Sequence, residues 1–217
     1  MSTRTAYDSW SETYDRDRNL TRDLDHVVTR ATLSHLRFSS ILEIGCGTGK
    51  NTALLASIGA KVRALDFSDG MLAQAKNKVS SDNVTFTVAD LTRPWPCDAR
   101  SADLVVCNLV LEHIGDIGFV FAEADRVLVA GGRFFVCELH PFRQYQRAQA
   151  RFQRDQATTE IQAFEHHLSD FTNVADANGF VLERFQEWWH EDDQDKPPRL
   201  ASFMFRKPME TAVATVE

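Results

Sequence analysis

The residues best spaced to do chemistry lie in Glu43-Ile44-Gly45-Cys46-Gly47-Thr48-Gly49, which follows an apolar run and precedes an amphipathic one. Glycines there allow a tight turn and let a ligand lie against the backbone. The helix that follows would offer unsatisfied N–H groups to an anion. A dinucleotide fingerprint needs a further glycine at position 50, which is Lys50 here, so the order is acid-x-G-x-G-x-G. Asp66 closes the next apolar run, 21 residues after Gly45. An acid at that place can accept two ribose hydroxyls. Asp90 closes a third run and can accept a hydrogen bond from an adenine amino group. Taken singly, each is equally a turn former or a helix cap. Together, at successive strand ends, they point to one ligand along the carboxyl edge of a sheet.

A second set could act on a substrate. His140 precedes Pro141 where a fifth apolar run ends, and an imidazole there can orient a substrate or act as general base. Capping a turn is its plainer role. His166 and His167 are adjacent, and one of them can face a substrate; no third ligand stands at metal spacing, so no metal is expected. His113 follows the fourth run, where packing is at least as good an account. Tyr7, Trp10 and Tyr14 punctuate a polar beginning and suit a lid over the site, with Tyr14 a further candidate catalytic residue. Arg143, Arg147, Arg151 and Arg154 would form one stripe on a helix, either a solvated face or a cationic rim that draws in an anionic substrate. Trp188 and Trp189 can add an aromatic wall.

These groups need elements to hold them. Strands are expected at 40–44, 61–66, 84–88, 103–107 and 133–138, separated by helices at 51–58, 69–79 and 118–129. That alternation means βαβ units and a parallel sheet. Residues 141–168 read as polar and helical, a cap. A helix over 169–178 and two strands, the second at 200–206, complete one domain of residues 1–208, with a mobile tail at 209–217. The N-terminal 1–38 would be lid helices, 40–138 the ligand-binding core and 139–168 the substrate cap.

The composition is that of an ordinary soluble domain: 217 residues, 43% hydrophobic, 25% charged. A net charge of −7 argues against nucleic acid and anionic membranes as partners. The opening MSTRTAYDSW has no apolar leader, no apolar run is long enough to span a membrane, and Cys46, Cys97, Cys107 and Cys137 match no metal or redox spacing. A reduced, cytoplasmic protein is expected. Its oligomeric state is not readable from the sequence.

The segments ILEIGCGTG, VRALDFSDGML, FTVADLTRPWP and ADLVVCNLVLEHI resemble the core of class I S-adenosylmethionine-dependent methyltransferases. The flavour is the small-molecule group similar to the ubiquinone/menaquinone methyltransferases. The resemblance covers about half the chain. It implies a Rossmann-like doubly wound α/β fold with seven strands in the order 3-2-1-4-5-7-6, strand 7 antiparallel. It implies S-adenosyl-L-methionine as cofactor, leaving as S-adenosyl-L-homocysteine. Gly45, Cys46, Gly47 and Gly49 would cradle its methionine part, with Glu43 in support. Asp66 would hold the ribose, Phe67 and Met71 would flank the adenine, and Asp90 and Leu91 would meet it. Asn108 would approach the amino group through its backbone, and Tyr14 would face the cofactor. The expected reaction is in-line methyl transfer to oxygen or nitrogen of a small metabolite, anionic or aromatic, with carbon left open. A catalytically inactive binding protein, a nicotinamide oxidoreductase and a protein or RNA methyltransferase are the alternatives.

Overall fold

The structure is a computed structural model and describes residues 3–146, 151–154, 157–161, 163–193 and 195–209. Strands β1 (Phe38–Ile44), β2 (Gly59–Asp66), β3 (Val84–Val88), β4 (Ala102–Asn108) and β5 (Leu128–Leu139) run parallel. β6 (Arg151–Arg154) and β7 (Ala157–Glu160) form a separate antiparallel hairpin. β9 (Leu200–Arg206) pairs antiparallel with β5, and β8 (Val181–Trp188) antiparallel with β9. The main sheet runs β3-β2-β1-β4-β5-β9-β8. Counted without the hairpin, that is the expected 3-2-1-4-5-7-6.

The central strands are covered on both faces, which is why they read as nearly continuous apolar runs. On one face Phe121 of α5 (Ile117–Val127) packs edge-on to Phe134 of β5 at 5.1 Å and to Phe205 of β9 at 5.4 Å. On the other face, Leu24 and Val28 of α2 (Leu20–Leu33) join Leu55 and Ile58 of α3 (Thr52–Ile58) over Ile41 and Val106. Asn19 starts α2 by accepting from the N–H groups of Thr21 and Arg22, and Ser68 caps α4 (Asp69–Lys78) through Met71. Both are the short oxygen-bearing side chains that helix starts favour. α1 (Thr3–Trp10) lies against α4. No helix among the described residues is long and apolar enough to cross a membrane.

Two expectations need correction. β5 begins at Leu128, ahead of Gly131-Gly132, and α5 stops at Val127; a register shift against β4 between Ala102 and Leu104 absorbs the glycines. The cap at 141–168 is not helical throughout. Among the described residues, only α6 (Pro141–Tyr145) is helix before the hairpin. Thr158 and Thr159 are β-branched and favour the extended backbone that β7 adopts. The arginines therefore make no helical stripe. Arg147 lies outside the described residues, and Arg151 and Arg154 fall on β6. Arg143 donates to the Pro197 carbonyl at 2.8 Å and pairs with Asp193 at 3.0 Å, with its side chain 12% exposed. Asp193 in turn accepts from Arg199. This cluster ties α6 to the loop before β9, and α7 (Leu168–Ala177) returns the chain to β8.

Candidate active site

The turn after β1 holds Gly45, Gly47 and Gly49 at φ of +70°, +53° and +78°. A Cβ on Gly45 would stand 2.1 Å from Cγ2 of Val110, so the loop after β4 touches the turn directly. A Cβ on Gly47 would meet nothing within 4 Å. Gly49 instead closes against Ala75 and Val79 at the end of α4. Asp66, at the end of β2, accepts from the Gly47 N–H at 2.8 Å and from the Ser68 N–H at 2.9 Å. Burial nevertheless raises its carboxyl to about 6.

These residues border one cavity of about 350 Å³ along the carboxyl edge of the sheet, within the range of cofactor sites. The turn contributes Glu43, Gly45, Cys46 and Gly47. The end of β2 adds Asp66 and Phe67, with Met71 from α4; the end of β3 adds Asp90 and Leu91; β4 adds Asn108; the N-terminal segment adds Tyr14. Gly49 does not line it. Glu43 accepts from the Thr52 hydroxyl at 2.6 Å, and burial raises its carboxyl to about 8. Asp90 is half exposed and accepts from the Thr92 N–H at 2.9 Å.

α2 contributes two charges that the sequence pattern did not single out. Arg22 is 7% exposed, lies 4.0 Å from the Tyr14 ring centroid, and donates to the carbonyls of Tyr14 and Asp17. No carboxylate pairs with it among the described residues. Asp25 is buried, accepts from Asn108 and from Asn51, and is raised by desolvation. Asn108 gives its amide N–H groups to Asp25 and Thr29, while its Oδ1 is buried with no partner among the described residues. The cavity thus sets a guanidinium beside carboxylates and an unused amide oxygen. That donor set fits a zwitterion, and the open space at Gly47 is where a ligand can reach backbone.

Residues 42–136 match the methyltransferase domain family. That match takes in the glycine turn, Asp66, Asp90 and Asn108, which border the cavity. A demethylmenaquinone methyltransferase from Clavibacter sepedonicus is 35% identical over 137 residues, 61% of this chain and 56% of that one. A malonyl-[acyl-carrier protein] O-methyltransferase from Yersinia pestis is 31% identical over 127 residues, 58% and 46%. The chain spans about half the length of these curated relatives. The structure of a putative S-adenosylmethionine-dependent methyltransferase from Listeria monocytogenes has a TM-score of 0.72 at 17% identity, covering 84% of this chain and 97% of that one. A DhpI–SAH complex has 0.71 at 18%, covering 96% and 97%. That likeness shows the fold.

The histidines divide. His140 lies at the end of β5, 1% exposed, and is not among the cavity's lining residues. Its Nδ1 accepts from the Phe142 N–H as the cap of α6, and its Nε2 hydrogen-bonds with Glu187 at 2.9 Å. His166 is buried against the carbonyls of Leu111 and Ile114, and His167 caps α7 and meets the Tyr145 hydroxyl. Neither lines the cavity. His113 does, with its Nε2 2.7 Å from the Tyr7 hydroxyl. Trp188 donates to Ser202 and Trp189 to the Lys196 carbonyl, both away from the lining. Over the turn, Asp8 accepts from Ser68 and Gly70, and Asp15 accepts from Thr48 and Lys78. The N-terminal segment is thereby pinned across the cavity.

Proposed function

We propose that the protein binds S-adenosyl-L-methionine in this cavity and moves its methyl group to a small acceptor molecule. The observation that carries the reading is the set of groups lining one cavity: Arg22, Glu43, Asp25 and Asn108 with its idle Oδ1, together with Asp66, which holds the Gly47 N–H. A nucleoside joined to an amino acid needs both kinds of partner in one cavity.

The bound cofactor supplies an activated methyl group on a sulfonium. The chain's own residues bind and orient. Arg22 holds the carboxylate, while Glu43, Asp25 and Asn108 take the ammonium. Asp66, fixed by two backbone N–H groups, offers its remaining lone pairs to the ribose. Phe67, Met71 and Leu91 would enclose the base, and Asp90 would accept from its amino group. Tyr14 and Tyr7 close the N-terminal side as a lid and exclude water. Positive charge is lost in the transfer, so an aromatic, weakly hydrated surround does not oppose it. Alignment alone can supply roughly 7–11 kcal/mol.

A small acceptor suits an acidic chain whose cavity lies under a pinned N-terminal segment. The test is transfer of labelled methyl into a metabolite library. Label in one small-molecule product supports the reading. Label only in protein or RNA, or none with any fraction, overturns it.

A further inference from the structure

The geometry points to Tyr7 and His113 as a proton-accepting pair that selects a phenolic or enolic hydroxyl as the methyl acceptor. This rests on the cofactor reading above and names its substrate class. Tyr7 sits on α1, and His113 ends a short 3-10 turn (Leu111–His113) after β4. Their rings stand edge to face, 5.4 Å apart, and both line the cavity. Val110, which touches Gly45, leads straight into that turn, so the pair borders the glycine cradle. Glu112 places Oε1 3.7 Å from the same His113 nitrogen. Its other oxygen, Oε2, is buried with no partner among the described residues.

None of these three groups serves the cofactor's charges. A buried phenol, imidazole and carboxyl together cost stability unless they are used. Burial holds the Tyr7 hydroxyl well above its ordinary value, so it stays protonated and can pass a proton on. With the ring hydrogen of His113 on Nδ1, Tyr7 donates to Nε2. In the step, the acceptor oxygen forms its bond to the methyl carbon as the carbon–sulfur bond breaks and its electron pair stays on sulfur. The acceptor's proton goes to Tyr7 Oη, whose own proton goes to His113 Nε2. The imidazolium that forms lies beside Glu112. An ammonium acceptor would call for a carboxylate facing it on this side, and Glu112 is not among the lining residues. Tyr7 and Tyr14, with rings 6.3 Å apart, instead give this side of the cavity an aromatic lining. These suit a planar ring.

The charged and titratable groups around the pair are Tyr14, Glu112, Asp66 and Arg22, which act on Tyr7, and Glu138 of β5, on which Glu112 acts; Gln144 hydrogen-bonds Glu112. The experiment uses the protein saturated with S-adenosyl-L-homocysteine and labelled with ¹⁵N-histidine. Long-range ¹H–¹⁵N spectra follow His113 through pH in wild type, Tyr7→Phe and Glu112→Gln, with His113→Gln for assignment. Glu112→Gln is expected to lower the His113 midpoint by about one pH unit, and Tyr7→Phe to move the Nε2 resonance. In parallel, labelled methyl transfer is measured to a panel of substituted phenols. Tyr7→Phe and His113→Gln are expected to lower kcat about 10²-fold or more and to hold S-adenosyl-L-homocysteine affinity within a few-fold. Unchanged titration in both variants, or a kcat loss under fivefold, overturns the pair. Binding of S-adenosyl-L-homocysteine with no phenol methylated overturns the acceptor class and leaves the cofactor reading standing. No binding at all brings down both.

Discussion

Asp66 at the end of β2 accepts a hydrogen bond from the backbone N–H of Gly47, 2.8 Å away in the turn after β1. One carboxylate therefore shapes the glycine turn and faces the cavity. Asp66→Asn keeps an acceptor for the turn and loses the charge. It is expected to weaken S-adenosyl-L-homocysteine binding about 10- to 100-fold, the worth of a hydrogen bond to a charged group, with little change in Tm. Calorimetry and a melting curve on the same sample check it; full affinity in the variant would remove Asp66 from the site.

The two glycines that line the cavity should fail differently. Gly45→Ala puts a Cβ into Val110 at φ +70°, so both folding and binding should suffer. Gly47→Ala, at φ +53°, meets no protein atom within 4 Å. Its cost in stability should be only the left-handed penalty, about 1–2 kcal/mol, yet its methyl occupies ligand space and should abolish binding. Denaturant melts beside binding isotherms separate the two; equal stability losses would contradict the assignment.

Burial raises Glu43 and Glu138 to about 8, Glu112 to about 7 and Asp66 to about 6. The folded chain keeps these protons where the unfolded chain has released them. Their contribution to stability is whole below the ordinary carboxylate range and is lost as pH rises through about 8. The ligand-free Tm is therefore expected to fall between pH 6 and pH 8.5, and less so in Glu43→Gln. A cationic ligand favours ionised Glu43, so binding near pH 7 should release protons. Calorimetry in buffers of different ionisation enthalpy reads that directly, and proton uptake would contradict it.

Arg143 and Arg199 converge on the buried Asp193. Chiefly through its hydrogen bond with Arg199, its carboxyl is held down to about 2. That stability is present above the ordinary Asp range and drains as pH falls toward 2. Asp193→Asn strips two guanidiniums of their counter-ion and should cost about 3 kcal/mol in a urea melt at pH 7. A loss below about 1 kcal/mol would show the cluster to be a solvated surface pair.

The glycine turn, Asp66 and Asp90 were legible in the sequence because each is a local event at the end of an apolar run. The strand order followed from the resemblance of the same segments. The hairpin was not legible: polar residues with helix propensity around Thr158-Thr159 give no periodicity to oppose a helical reading. Arg22 and Asp25 were hidden for another reason. Their worth lies in Asn108, 83 residues beyond Asp25, and in Tyr14, reached through a turn. His113 meets Tyr7 across 106 residues. His140, by contrast, sits where a strand end suggested either chemistry or a turn cap; it caps α6, and its contact with Glu187, 47 residues on, is invisible in the local pattern.

The most direct measurement is calorimetric titration of S-adenosyl-L-methionine and S-adenosyl-L-homocysteine into the ligand-free protein and into Arg22→Gln. One site per chain is expected for each ligand, with affinity at least tenfold weaker in the variant. No binding of either to the wild type, or equal binding to wild type and variant, would contradict the zwitterion site on which the account depends.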